Sequence, residues 1–255
     1  MQRRTICLAA LTTGIAATSR AQEMEVVFAT GEYPPFTSQG LPEQGATTAL
    51  VTAICQAAGL RPVYRFYPWR RAESMVETGE AFAAFPYGIN KERKERFDFS
   101  DVLYMVRNAV VYHAKDNDKN LPPRFEKLQD LRAYRVGVIQ GSFAEGPLRE
   151  SGVRYETAST VEQSIKKLQA GRIDLYIDDQ AVIFDAVSRL YPDQVDRFRA
   201  LPKAFNEQAA NHLMVSRSYP NAATLLLKFN AGLAAIKASG EYQRIVRKYR
   251  LSPAN

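Results

Sequence analysis

Between Trp69 and Tyr104 the chain runs from a helical pattern through an unbroken apolar segment into a dense charge cluster, an order that few architectures accommodate. Ala72, Met75 and Val76 recur at helical spacing, and Gly79 stands where a helix would stop. Ala81 to Phe85 has no polar residue on either face, as expected of a strand covered on both sides in a parallel sheet. The segment from Pro86 to Arg93 then leaves the carboxyl end of a core strand, where open α/β sheets hold their ligands, so it is expected to form one wall of a small-molecule site.

The flanking sequence extends this unit. Glu25 to Ala29 reads as a strand and Thr30 to Gly45 as a Gly/Pro-rich loop carrying Tyr33-Pro34-Pro35-Phe36. Thr47 to Ala58 reads as a helix closed by Gly59, and Pro62 to Tyr67 as a strand, giving β-α-β-α-β. After the apolar stretch Met105–Ala114, composition shifts to the polar, proline-paired connection Lys115–Arg124. A second unit follows. Arg135–Ile139 is a strand leading to Gln140-Gly141-Ser142, a turn expected to open a helix. Thr160 with Gln163 forms a capping box for the helix Val161–Ala170, and Ile173–Ile177 is a strand before Asp178-Asp179, the expected start of another helix. Leu213–Ser216 reads as a return strand, followed by helices over Tyr219–Ser239, with Leu226, Phe229, Leu233 and Ile236 inward, and over Glu241–Arg250.

Residues 1–21 carry Arg3 and Arg4, a short apolar core from Ile6 to Ala17, and Ser19-Arg20-Ala21, the layout of a secretory signal cut before Gln22. A dozen apolar residues is too few to span a bilayer, which needs about 20. Without this leader the formal charge falls from +7 to +4, and an exported protein meets anionic solutes or membrane surfaces rather than nucleic acid. Cys7 leaves with the leader, so Cys55 stands alone in a helical pattern as a buried thiol, with no internal disulfide. A periplasmic, monomeric protein is the expectation.

Several motifs occur in a telling order: Tyr33-Pro34-Pro35-Phe36 after the first strand, Glu92-Arg93 five residues before Asp98-Phe99-Ser100, and Val138-Ile139-Gln140-Gly141-Ser142. Gly171-Arg172-Ile173-Asp174 follows, with Asp179 eight residues past the glycine, then Ala238-Ser239-Gly240-Glu241-Tyr242 through Arg247-Lys248-Tyr249. Across nearly all of the mature chain this resembles the family-three extracellular solute-binding proteins, receptors of polar-amino-acid ATP-binding-cassette importers. Pro68-Trp69-Arg70 and Phe85-Pro86-Tyr87 mark a divergent branch. The resemblance implies a type II periplasmic-binding-protein fold: two doubly wound α/β lobes joined by two crossover strands, with a ligand cleft between them. Lobe 1 would comprise 22–110 and 211–255, lobe 2 would comprise 111–210, and the crossovers would lie near 108–114 and 207–213. It also implies a partner, an inner-membrane permease.

By resemblance, Arg93 takes a ligand carboxylate and Asp179 a ligand ammonium; a guanidinium fork matches a carboxylate bidentately. Lys91, Lys94 and Arg96 read as surface charge, and Asp178 as a cap. Gly141 and Ser142 would offer N–H groups and a hydroxyl from a helix start to the same carboxylate. Tyr33 and Trp69, with Tyr87 and Arg70, would line the cleft. The loop Phe85-Pro86-Tyr87-Gly88-Ile89-Asn90 lacks the small hydroxyl residues that family members place beside a ligand ammonium. The ligand is therefore expected to be either an amino acid or an organic acid without the amine. A cleft dehydratase resembling cyclohexadienyl dehydratase is one rival, with Glu145 or Glu207 as the acid; a sensing module for a membrane receptor is another. His113 and His212 lack metal-ligand spacing and read as hinge or core residues; no cofactor and no metal is expected.

Overall fold

The computed structural model describes residues 24–114 and 124–254; the expected leader and most of the polar connection after Ala114 lie outside the described residues. The first unit is β1 (Met24–Thr30), α1 (Ala46–Ala57), β2 (Leu60–Phe66), α2 (Trp69–Glu77) and β3 (Ala83–Tyr87), the β-α-β-α-β order read from the sequence. β1 pairs in parallel with β2, from Met24 opposite Leu60 to Thr30 opposite Phe66, and with β3 on its other edge. Ala72 and Val76 face the core from α2, and Gly79 ends that turn at φ +78°, where a Cβ would lie 2.8 Å from the Ser218 carbonyl.

β3 begins two residues later than the apolar run suggests and continues through Pro86. A proline brings no N–H to a ladder. The sheet absorbs it with a shift of register against the return strand, His212 opposing Tyr87 and Met214 opposing Ala84. The charge run is a short helix, α3 (Lys91–Arg96), rather than a loop, because Asn90 caps it by accepting the Arg93 N–H at 2.8 Å. β4 (Asp98–Phe99) follows, then β5 (Tyr104–His113).

The second unit contains β6 (Val136–Ile139), α4 (Glu145–Glu150), β7 (Tyr155–Ala158), α5 (Val161–Gln169), β8 (Leu175–Asp179), α6 (Gln180–Leu190) and β9 (Phe198–Ala200). Thr160 caps α5 through the Gln163 N–H, as the capping pattern suggests. The chain returns along β10 (Asn206–Val215) and ends in α7 (Ala222–Ser239) and α8 (Glu241–Tyr249). On α7 the buried stripe is Leu225, Phe229, Leu233 and Ile236; Leu226 is only partly covered. Among the described residues no helix is long and apolar enough to cross a membrane.

The strand order β2-β1-β3-β10-β5-β8-β6-β7 shows how the two lobes join. The end of β10 pairs with β3 and β4, while its beginning pairs antiparallel with β5. β5 in turn pairs with β8 and β9 of the second lobe. These two long strands are the crossovers. The lobes consequently turn the carboxyl ends of β1, β2 and β3 toward those of β6 and β8.

Candidate functional site

A cavity of about 530 Å³ lies between those strand ends. Its lobe-1 wall comes from the turns after β1, β2 and β3. Tyr33 and Trp69 meet edge to face at 5.6 Å between ring centroids, and Trp69 meets Tyr87 in the same way at 5.7 Å. Trp69 opens α2, and it lies against the backbone of Gly31, where a Cβ would stand 2.8 Å from the indole. No larger residue fits there without displacing the ring.

Arg93 is 5 % exposed, while Lys91, Glu92, Lys94 and Glu95 around it face solvent. Its guanidinium carbon lies 4.6 Å from the centre of the Tyr87 ring, a cation–π arrangement. One nitrogen donates to the Gly88 carbonyl at 3.1 Å, and another reaches across the cleft to the Gly141 carbonyl at 2.8 Å. Glu73 stands 3.8 Å from Nε and also holds Arg96 at 2.8 Å. The cap at Asn90 and the stacking on Tyr87 thus aim the side chain before any solute arrives. Lys94, read as surface charge, also borders the cavity.

From lobe 2 come Asp178 and Asp179, 2 % and 3 % exposed, at the end of β8. Asp178 accepts hydrogen bonds from Tyr33 of the opposite lobe, from the Tyr176 hydroxyl at 2.5 Å and from the Asp179 N–H at 2.8 Å. The reading of Asp178 as a cap is therefore corrected: it belongs to a strand and binds two tyrosines. Asp179 is the N-cap of α6, accepting from the Ala181 N–H at 2.8 Å with Oδ1, while Oδ2 is buried without a partner. Burial, and secondarily the neighbouring Asp178, pushes the Asp179 carboxyl up to about 7. Burial also raises Asp178 above the usual carboxylate range, despite the tyrosine hydroxyls that oppose the shift. An aspartate held this way gains strongly from a cation delivered to its free oxygen.

Ser142 departs from expectation in detail. α4 starts only at Glu145, the Ser142 N–H closes a turn onto the Ile139 carbonyl at 3.0 Å, and the Gly141 N–H donates to Glu145 at 2.6 Å. The expected N–H seat at a helix start is thus engaged by the protein itself; what remains is the Ser142 hydroxyl, buried and without a partner. Arg70 is exposed and outside the cavity lining, its Cγ 3.7 Å from where a Gly141 Cβ would be. Tyr33, Trp69, Tyr87, Arg93, Gly141, Ser142 and Asp179 do converge.

The sequence reading misses Asn108, Asn211 and His212, which line the cavity from the crossover strands. His212, expected as a hinge or core residue, is buried on the crossover strand β10, its Nδ1 bound to the Ser100 carbonyl at 2.7 Å. His113 packs on Phe198 at 4.7 Å, away from the cavity. A polar residue inside the apolar run of β5 is the signal that could have marked Asn108. The two carboxylates weighed as acids are placed elsewhere: Glu145 as described, and Glu207 exposed in an ion pair with Arg107 at 2.8 Å. Among the described residues no cluster of His, Cys, Asp and Glu could hold a metal ion.

Two lobes flanking one cavity, bridged by two strands, define a solute-binding clamp. Residues 26–252 match the bacterial extracellular solute-binding proteins, family 3, and the chain belongs to that family. It is 26 % identical over 238 residues to a probable histidine-binding protein of Neisseria gonorrhoeae, covering 88 % of this chain and 81 % of that one. It is 25 % identical over 245 residues to ABC transporter arginine-binding protein 1 of Escherichia coli K12, covering 94 % and 96 %. An ancestral arginine-binding protein bound to glutamine superposes with a TM-score of 0.73 at 23 % identity, over 89 % of this chain and 98 % of that one. The protein is a solute-binding receptor.

Proposed function

We propose that this receptor is exported to the periplasm as a monomer, with residues 1–21 removed before Gln22. There it captures a free amino acid between lobe 1 (22–110 and 211–255) and lobe 2 (111–210), and presents it to an inner-membrane ABC permease. The observation that carries this reading is one cavity holding both a buried guanidinium, Arg93, and a buried carboxylate with an unpartnered oxygen, Asp179. A zwitterion satisfies both charges at once. An organic acid without the amine would leave the Asp179 oxygen buried and unpaired, so the amino acid is preferred.

Binding and closure are one event here. A solute touching Arg93 on lobe 1 and Asp179 on lobe 2 favours the closed form by whatever it gains from the second lobe. Tyr33, Trp69 and Tyr87 supply an aromatic wall suited to a flat or cationic side chain. L-arginine and L-histidine are the first probes, because two of the similar proteins are named for them. A thermal-shift screen of the L-amino acids tests the reading, since a ligand that binds only the folded form raises the melting temperature by mass action. At least one amino acid raises it clearly. A flat response across the set contradicts the proposal.

One observation favours the dehydratase rival: Asp179, whose carboxyl burial pushes up to about 7 beside the cavity, has the properties of a general acid. The named relatives are binding proteins, which favours the receptor alone. Incubating the protein with prephenate or arogenate decides between them, and product formation overturns the preference.

A further inference from the structure

Two adjacent aspartates face this cleft, and the geometry divides their work. Asp179 keeps an oxygen with no partner. Asp178 keeps none: its Oδ1 takes the Tyr33 hydroxyl and the Asp179 N–H, and its Oδ2 takes the Tyr176 hydroxyl at 2.5 Å. Of these donors, Tyr176 and Asp179 share lobe 2 with Asp178 and hold its carboxylate still. Tyr33 alone comes from lobe 1, reaching over a sequence separation of 145 residues. A carboxylate fixed by two local donors is a preorganised acceptor for the third.

We propose that Asp178 is a positioning residue for closure: it binds no solute but holds Tyr33 across the cleft, and so sets how far the empty receptor is already closed. The bond joins the lobes through protein atoms alone. Tyr33 also packs edge-on against Trp69. Holding its hydroxyl therefore fixes the first two rings of the aromatic wall in the arrangement that a solute meets. Affinity follows, because apparent affinity scales with the fraction of receptor in the competent form. The inference concerns the empty protein and stands whether or not an amino acid is the solute.

Tyr33→Phe removes only the hydroxyl, and Asp178→Asn removes the charge while keeping an acceptor. The purified receptor, unfolded and refolded to strip any co-purified solute, is compared with both variants by small-angle X-ray scattering and by emission of Trp69, its only tryptophan. Loss of a hydrogen bond to a charged group shifts the closed-to-open ratio by roughly tenfold or more. The expected result is a larger radius of gyration and a red-shifted emission in Tyr33→Phe, with Asp178→Asn moving the same way by a smaller amount. Circular dichroism verifies the fold, and if Asp178→Asn does not fold, Tyr33→Phe decides alone. A destabilised but otherwise uninvolved pair of residues would lower the melting temperature without changing the radius. Equal radii in wild type and Tyr33→Phe, or a smaller radius in the variant, overturn the proposal.

Discussion

Arg93 has five N–H groups, and the Gly88 and Gly141 carbonyls occupy one on each terminal nitrogen, leaving donors for a carboxylate in the cavity. Truncating a hydrogen-bonded charge partner in a desolvated cleft costs about 2–5 kcal/mol. Arg93→Ala is therefore expected to weaken amino-acid binding at least about tenfold in a calorimetric titration. Unchanged affinity removes the residue from the site. Asp179 makes a second residue-scale prediction, through pH. Burial pushes its carboxyl up to about 7 from an ordinary 3.8, so it is largely protonated below neutrality. An ammonium ligand needs the carboxylate, so affinity is expected to fall by roughly tenfold per unit as pH drops below about 7. For folding the sign is opposite: a raised acid stabilises below pH 3.8, and that contribution is lost as pH rises through about 7. Titrations at pH 5, 6, 7 and 8 check the first part, and Asp179→Asn should flatten the dependence. Resemblance to the family, through the positions of Asp98 and Gly171, picks out Arg93 and Asp179 from the sequence. It is silent on Asn108 and His212, because strands crossing between lobes bring polar groups to the cleft through tertiary geometry, with no local motif to mark them.

At the scale of elements, α3 shows what holds a site in place. Six residues are too few to sustain a helix in isolation. Asn90 holds its start, and Arg217, from beyond β10, holds its end by donating to the Lys94, Glu95 and Phe97 carbonyls at 3.1, 2.7 and 3.0 Å and pairing with Asp98 at 3.0 Å. Arg217→Ala should leave the melting temperature little changed, because the side chain is half exposed, yet weaken solute binding roughly fivefold, as about 1 kcal/mol of ordering is lost. Faster amide exchange over residues 91–97, with the rest of lobe 1 unaffected, is the accompanying sign. Gly31 gives a converse case. Gly31→Ala would drive a methyl group into the Trp69 indole, costing about 1–3 kcal/mol by overpacking and altering Trp69 emission in the empty protein. An unaltered emission spectrum would show that the ring has room after all. Helix α2 and its glycine stop were legible from periodicity, but α3 was not: a run of alternating charges carries no apolar stripe, and its helicity depends on a cap and a distant arginine.

The whole molecule is a lever arm for these small groups. β5 and β10 carry both lobes, so a solute bound at the strand ends acts where the halves meet. The doubly wound order of each half was readable from alternating strand and helix patterns. The discontinuous first lobe came only from resemblance, since nothing in the periodicity of α7 and α8 says which half they cover. In the structure α7 packs on α1, where a Cβ on Gly232 would lie 2.5 Å from the Ile54 carbonyl. Gly232→Val should separate the two helices and lower the melting temperature, a loss visible by circular dichroism.

Solute capture turns on the Arg93 guanidinium meeting a solute carboxylate inside the cleft. The most direct measurement is calorimetric titration of wild type and Arg93→Ala with the amino acid giving the largest thermal shift and with its primary carboxamide. Wild type should prefer the free acid by at least about tenfold, and Arg93→Ala should bind the two forms alike. A preference for the free acid that survives intact in Arg93→Ala would contradict the account.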